Sequence, residues 1–417
     1  MFLKNKPQIT YYRDRCPVQE VDPSVSDNLV SKYDRLNGKT TVDFCGVVID
    51  RHQVFSFLPV GCENHTESKV RLLLKCLVLY SKQKTEKTRW DRDGKDWREI
   101  EKHRSLIGVL FEIVDDFCRY GLYCERQTSL TTNRGTPDWA RTFKRTPYIS
   151  RSGKFIYPEI DTRVFTDSHF SFFSQIHNAV LRDIARRFGG IFPELRFNMS
   201  APLPPVRKDN LRLPFVNRKL KRIKSSLFSV RSQRLHKLIC SYIEDFQLES
   251  EKPIPLGISR FEYLWEHMLR ETLESDDLSG ILPVAKYISG ENEIAKRNGR
   301  LDIFLSSATR NHIAVVDAKY YGANSKGDLP GWGDIVKQLY YEKLLSPTYE
   351  KAKISNWFVF PGREQYVDKV RIDGLQEEYN PIGCKYVTPE EVMEAYLNGT
   401  KLTELRAELL GVSGSAE

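Results

Sequence analysis

An α/β fold is predicted for this chain, and three observations carry the prediction. Two short apolar strands each hold one acidic residue, amphipathic helices stand before and after them, and a further strand follows. The strands are Gly299-Arg-Leu-Asp-Ile-Phe-Leu305 and Ile313-Ala-Val-Val-Asp-Ala-Lys-Tyr-Tyr321, separated by the polar stretch 306–312. That stretch is short enough to close an antiparallel hairpin. Side chains alternate along a strand, so Asp317 and Lys319 project to the same side. With Asp302 in the first strand, two carboxylates and an ammonium converge at one sheet edge. Such a set can hold a hard cation through oxygens and place a water beside a phosphate. An isolated Asp-x-Lys is usually a strand end meeting solvent; the acidic residue in the preceding strand and the flanking elements set this one apart.

The helix after the hairpin starts at Asp334 and runs to Leu345, with Ile335, Leu339 and Leu344 as its apolar face. Lys337, Gln338 and Tyr341 are placed to turn polar tips back toward the hairpin. A strand over Ser355–Phe360 is stopped by Pro361-Gly362. Upstream, Ser259 is an N-cap for a helix reaching Leu269. Its Glu262 and Glu266 are four apart and share a face, and spacing does not choose between them.

The N-terminal region is mixed α+β. Short strands are expected within 42–59, a helix over 67–82, a charged linker over 85–96, and a long helix over 98–119 ended by Gly121. Strand-like pieces within 149–164 precede a helix over 168–188 closed by Gly189-Gly190. This reading divides the chain at about 125, 250 and 400: an N-terminal domain for partner docking or DNA placement, a central region with a basic helix, the segment 251–400 that carries the hairpin, and a C-terminal tail.

The basic helix lies in 206–237, where Arg207, Lys208, Arg212, Arg218, Lys219, Lys221, Arg222, Lys224, Arg231, Arg234 and Lys237 face Asp209 alone as local counter-charge. Arg218, Lys219, Lys221 and Arg222 are the candidate DNA-binding residues, able to follow phosphates but not to choose sequence. A solvated helix face is the ordinary alternative.

Composition narrows the class. With 40% hydrophobic and 29% charged residues, the 417-residue chain suits a globular protein and not a disordered one. The formal charge of +9 is compatible with a polyanionic partner. No apolar run reaches the length of a membrane span, and the N-terminus lacks an apolar signal core, so a cytoplasmic location is expected. Eight cysteines contain no Cys-x-x-Cys pair and read as buried thiols. Asn37-Gly-Lys-Thr40 is not a phosphate loop, because Tyr33 stands where that loop needs a glycine. His52, His65, His103 and His312 lack metal-ligand spacing.

The order helix, hairpin, helix, strand resembles the PD-(D/E)xK nuclease superfamily over the C-terminal third, with Leu301-Asp302 where Pro-Asp is usual. Val316–Tyr321 and the run from Asp328 to Gln338 are further similar to the LlaJI family of restriction endonucleases, relatives of McrC. Phe44–Asp50, Val54–Pro59, Asp138–Thr142 and Phe155–Tyr157 extend that likeness. The resemblance implies a restriction-endonuclease-like α/β/α core with a central mixed sheet and Mg²⁺-dependent cleavage of double-stranded DNA. It gives the metal to Asp302, Asp317 and the carbonyl of Ala318, and the attacking water to Lys319. Glu262 or Glu266 would assist, and Gln338 would join the site through a Gln338-x-x-Tyr341 pair. It also implies a separately encoded McrB-like GTPase that binds the GTP, and cytosine methyltransferases that protect the host, in a bacterial cytoplasm. A non-catalytic DNA-binding or adaptor subunit, and a stand-alone nuclease, are the competing readings.

Overall fold

The computed structural model describes residues 9–26, 29, 33–36, 39–50, 53–87, 97–168, 171–189, 191–192, 195, 213–246, 253–277, 281–375 and 377–412. The chain divides into two compact units, Pro7–Ile107 with Lys252–Glu417, and Gly108–Glu251.

In the first unit, β1 (Ile9–Arg13), β2 (Cys45–Asp50), β3 (Gln53–Leu58) and β4 (Ile254–Ile258) form a sheet in the order β1-β3-β2-β4. β1 runs parallel to β3, and the other neighbours are antiparallel. The runs Val47-Val-Ile49 and Val54-Phe55 are buried, as expected of β-branched and aromatic residues in strands covered on both faces. Gly257 lies opposite Gly46, and a Cβ on either would strike the facing strand's backbone. Gly46 also has φ +150°, so glycine is required there for two reasons.

The second sheet of this unit holds the hairpin. β5 (Ile303–Ser306) pairs antiparallel with β6 (His312–Ala318), which runs parallel to β7 (Lys353–Pro361), itself parallel to β8 (Ile382–Val387). The two-residue strand Lys369–Val370 closes the far edge antiparallel, so the five-stranded sheet is mixed, as expected. Leu301, Phe304, Ile313 and Val315 share a core cluster with Leu345 and Tyr341 of α1 (Trp332–Leu345). Alternation turns Ala314 and Val316 to the other face. There α2 (Thr403–Leu410) and the earlier helix Glu262–Thr272 pack on β5 and β6. Helices therefore cover both faces.

Three boundaries differ from those expected. The domain expected over 1–125 does not stand by itself: residues 7–107 belong with 252–417, because β2 has β4 as its hydrogen-bonded neighbour and the helix Glu67–Lys87 packs on the helix Pro389–Asn398. The region after 400 is not a tail: Ser355 Oγ and Trp357 Nε1 donate to the Leu409 carbonyl of α2. The linker expected over 85–96 starts later, since the helix reaches Lys87; residues 88–96 lie outside the described residues.

A buried polar cluster joins the two sheets of this unit. The Tyr320 hydroxyl donates to Asp14 Oδ2 at 3.0 Å, accepts from Val60 N–H at 3.1 Å, and sits 3.4 Å from Cys45 Sγ. Asp14 also accepts from the amides of Phe44 and Arg15, so its fully buried carboxyl is well partnered.

In the second unit, Glu125–Thr132 pairs antiparallel with Asp161–Ser168, and helices Phe172–Phe188, Leu213–Ile223 and Val230–Phe246 supply the core. Gly121 ends the helix Trp97–Tyr120 at φ +70°, as expected. Asp183 accepts from Arg187 Nε and the Tyr242 hydroxyl in the buried interior. His177 accepts the Tyr123 N–H on Nδ1, and its buried Nε2 has no partner. No two of the eight cysteines are joined. Among the described residues, no helix is long and apolar enough to cross a membrane.

Burial, with the Arg231 charge adding to it, pushes the His177 pKa down to about 3. A depressed histidine favours the folded state fully above its ordinary value of about 6.5, and that advantage is lost as pH falls toward the folded value. Between pH 6.5 and 5 the wild type should lose about 2 kcal/mol from this group, at about 1.4 kcal/mol per pH unit. Urea unfolding of wild type and His177→Asn across that range checks it, the variant showing the shallower slope. Tyr320→Phe should cost about 1–3 kcal/mol, because it leaves the buried Asp14 carboxyl and the Val60 amide each short of a partner. Asp14→Asn in the same background should recover part of that loss in the same unfolding assay.

Candidate active site

The hairpin register explains why two acids meet. Ile303 pairs with Val316 in the antiparallel ladder. One step further, Asp302 stands opposite Asp317, and opposed residues share a face. Like charges directly opposite are unfavourable in a sheet, so the pairing calls for compensation. Several groups supply it. The Ala318 N–H donates to Asp302 Oδ2 at 3.2 Å, and Arg270 donates to the Asp302 carbonyl through Nε and Nη2 at 2.9 and 2.7 Å. Lys319 Nζ lies 2.6 Å from Asp317 Oδ2 and 2.6 Å from Asp334 Oδ1. Lys337 Nζ lies 3.2 Å from Asp317 Oδ1. The backbone of Lys319 is fixed by its own N–H donating to the Val359 carbonyl at 2.9 Å.

The electrostatics follow from this packing. Burial raises the Asp302 pKa to about 7, and a shared proton with Asp317 and the charges of Asp317 and Glu266 act in the same direction. Burial also opposes the Asp317 charge. The hydrogen bond from Asp302 and the two ammonium groups outweigh it and hold Asp317 below the usual carboxylate range. Burial works against both lysines, but their carboxylate neighbours keep them charged, above the ordinary lysine value. The pair therefore behaves as one protonated and one ionised acid.

The structure separates the two glutamates that spacing could not. Glu266 is raised chiefly by burial and also feels Asp317. Glu262 is held elsewhere, 3.5 Å from Arg15 Nη2 and 3.2 Å from Arg260 Nε. Gln338 does not join the carboxylates as expected. It is fully buried on the sheet side of α1 and donates through Nε2 to the Trp357 carbonyl at 3.0 Å, which fixes the helix on β7. Its partner Tyr341 donates to the Arg300 carbonyl at 2.7 Å, tying α1 to the start of β5.

Asp334 and Arg270 were not foreseen. Asp334 lies in the first turn of α1, three residues before Lys337, so helical spacing puts both on the face toward Lys319. That spacing was a usable signal. Arg270 acts on a main-chain carbonyl, which leaves no pattern in sequence.

The expected Mg²⁺ fits this donor set in a limited way. Among the described residues, no group of three or more His, Cys, Asp or Glu side chains could hold a metal ion. Asp302 and Asp317, with the adjacent Ala318, make a set of two carboxylates, of the kind Mg²⁺ uses while keeping waters and phosphate oxygens. Asp317 Oδ2 is buried with no hydrogen bond, since the Lys319 ammonium lies close but off a bonding direction. That oxygen has lone pairs left for a cation.

On the basic helix, Arg218, Lys221 and Arg222 are exposed, and among the described residues no carboxylate is within ion-pair distance of them. Lys219 lies over the Phe172 ring at 4.1 Å. Arg231 and Arg234 are not free charges: they pair with Asp116 and Glu112 at 2.9 and 3.0 Å. The run thus has counter-charges that lie far away in sequence. Arg207, Lys208, Asp209 and Arg212 lie outside the described residues.

Comparison with known proteins adds the family. The type II restriction enzyme BsuMI component YdjA of Bacillus subtilis (strain 168) is 23% identical over 402 residues, covering 88% of this chain and 82% of that protein. A solved half-complex of Thermococcus gammatolerans McrB AAA+ hexamers with bound McrC aligns at 12% identity over 96% of this chain and 100% of that one, with a TM-score of 0.36. The Thermococcus gammatolerans McrBC complex aligns at 11% identity over 58% and 88%, with a TM-score of 0.24. Scores of that size carry no structural argument, and the architecture rests on this chain's own sheets. The family model for the LlaJI restriction endonuclease matches residues 44–377. That match takes in β2 to β7 and the paired carboxylates, and this chain belongs to the LlaJI restriction endonuclease family.

Proposed function

We propose that the chain is the Mg²⁺-dependent endodeoxyribonuclease subunit of a restriction system and hydrolyses phosphodiesters of double-stranded DNA. The observation that carries this reading is the pair of opposed carboxylates, half-buried Asp302 and buried Asp317, with Lys319 2.6 Å from the second. A sheet tolerates such a pair poorly unless it is used. Asp302 and Asp317 hold the cation, with the Ala318 carbonyl beside them. Bound there, Mg²⁺ would supply charge neutralisation on the phosphate and a more acidic water. Lys319, fixed between Asp317 and Asp334, orients the attacking water and offsets charge developing on the phosphate. Glu266 holds a second water at the edge of the site.

The partners are also part of this proposal. The reading includes a McrB-like GTPase encoded separately, which supplies nucleotide-driven movement on DNA, and cytosine methyltransferases that protect the host, in a bacterial cytoplasm. Family membership supports a restriction-system component. Plasmid cleavage with Mg²⁺, with and without the neighbouring gene's product and GTP, tests the partnership. Cleavage by the chain alone would favour a stand-alone nuclease. Absence of cleavage under every combination, with intact DNA binding, would favour an adaptor.

Asp302→Ala, Asp317→Ala and Lys319→Ala should each lower cleavage by about 10²-fold or more, as loss of a preorganised charge at a reacting phosphate does. Full activity in purified Asp317→Ala would remove the site. Reversing Arg218, Lys219, Lys221 and Arg222 to glutamate should weaken DNA binding evenly across sequences. It should also flatten the salt dependence by about 0.9 in slope for each phosphate that the helix no longer neutralises. An unchanged slope in a salt titration would mean a solvated face.

A further inference from the structure

The two oxygens of Asp317 are each approached by a different lysine, and the two lysines are not equivalent. Lys319 has a second acid, Asp334, at 2.6 Å, so it keeps a partner if Asp317 is taken from it. Lys337 reaches Asp317 Oδ1 at 3.2 Å from α1, the helix that packs against β6 and β7. It also feels the Asp302 carboxyl, and the face of the Tyr341 ring lies 5.6 Å away. The Lys337 side chain is 38% exposed, whereas the Asp317 side chain it pairs with is 5% exposed. A divalent cation that takes Asp317 through both oxygens, Oδ1 as well as the unbonded Oδ2, competes with the Lys337 ammonium for the Oδ1 lone pairs.

We propose that Lys337 caps Asp317 when no cation is bound, gives up that oxygen to the entering cation, and then donates to a non-bridging oxygen of the scissile phosphate. The inference rests on the metal-dependent reading above. Released from Asp317, Lys337 stays within one side-chain length of the carboxylates, on a helix held by Gln338 and Tyr341. Its four-carbon stem lets the ammonium move without moving the helix. It forms no covalent bond and passes no proton. Its N–H groups take up negative charge as the attacking oxygen bonds to phosphorus and the leaving oxygen departs. Lys319 stays with Asp334 and the water, so the two lysines divide the work between nucleophile and phosphate.

The role predicts opposite effects on two measurements, which a merely structural lysine would not produce. Lys337→Gln should bind Mn²⁺ about tenfold or more tightly than wild type by calorimetry without DNA, since a competing charge beside the ligand is gone. The same protein should cleave DNA about 10²-fold more slowly at saturating Mn²⁺ in single-turnover assays with any required partner present. Lys343→Gln, on the same helix but over the Tyr379 ring, should change neither. Circular dichroism and unfolding confirm that both variants fold. Unchanged or weaker Mn²⁺ binding by Lys337→Gln would overturn the proposal, as would undiminished cleavage. Failure of the wild type to bind Mn²⁺, or equal binding by Asp317→Ala, would instead remove the metal-dependent reading and this inference with it.

Discussion

The constraint on which the site depends is the register of one hairpin. Because Ile303 faces Val316, Asp302 must face Asp317, and two acids are forced onto one face of a covered sheet. A slip of one residue would send one acid to the opposite face and bring an apolar residue in its place. The register is held by the apolar residues on either side of it. Phe304, Ile313 and Val315 enter the core under α1, while Ala314 and Val316 face the other layer. Core packing and acid pairing are thus one decision: the residues that stabilise the sheet also create the local repulsion that Lys319, Lys337 and Arg270 relieve.

The N-terminal segment contributes through one side chain pair. Tyr320 follows Lys319 directly, and its hydroxyl reaches Asp14 across the interior of the first unit. Phe261, at the start of the glutamate-bearing helix, packs on the Tyr320 ring at 5.1 Å. The strand end carrying Lys319 and the helix carrying Glu266 are therefore both set against the first sheet. Glu262 pairs with Arg15, which neighbours Asp14, at 3.5 Å. One short segment far from the hairpin in sequence thus holds the residue next to Lys319 and pairs with Glu262.

Local features were legible in the sequence, and long-range ones were not. The hairpin, its acids, Lys319, the helix after them and the strand at 355 all follow from alternation and helical spacing within a window of about twenty residues. The same reasoning could not separate Glu262 from Glu266, because the pairing of Glu262 with Arg15 and Arg260 is not encoded in spacing. The family resemblance placed Gln338 with the acids through the Gln338-x-x-Tyr341 pair. The Gln338 amide nitrogen donates to the Trp357 carbonyl instead. The basic run looked unopposed because its acids, Glu112 and Asp116, lie more than a hundred residues earlier. Treating 1–125 as a domain failed for a related reason: β2 finds its neighbour in β4, and nothing near either strand announces the other.

That strand pair has a consequence for how the molecule is made. β2 is synthesised about 200 residues before β4, and at common translation speeds of 5–20 residues per second the wait is about 10–40 s. Through that interval the apolar strands β2 and β3 can pair with each other, but one rim of β2 stays unsatisfied, a template for any extended chain it meets. The intervening segment, Gly108–Glu251, has its own core and can fold in the meantime. The glycines at 46 and 257, which let the late strand seat closely, thus guard the last step of biogenesis: until it happens a nascent chain has neither a closed first sheet nor a seat for Tyr320, the residue beside Lys319.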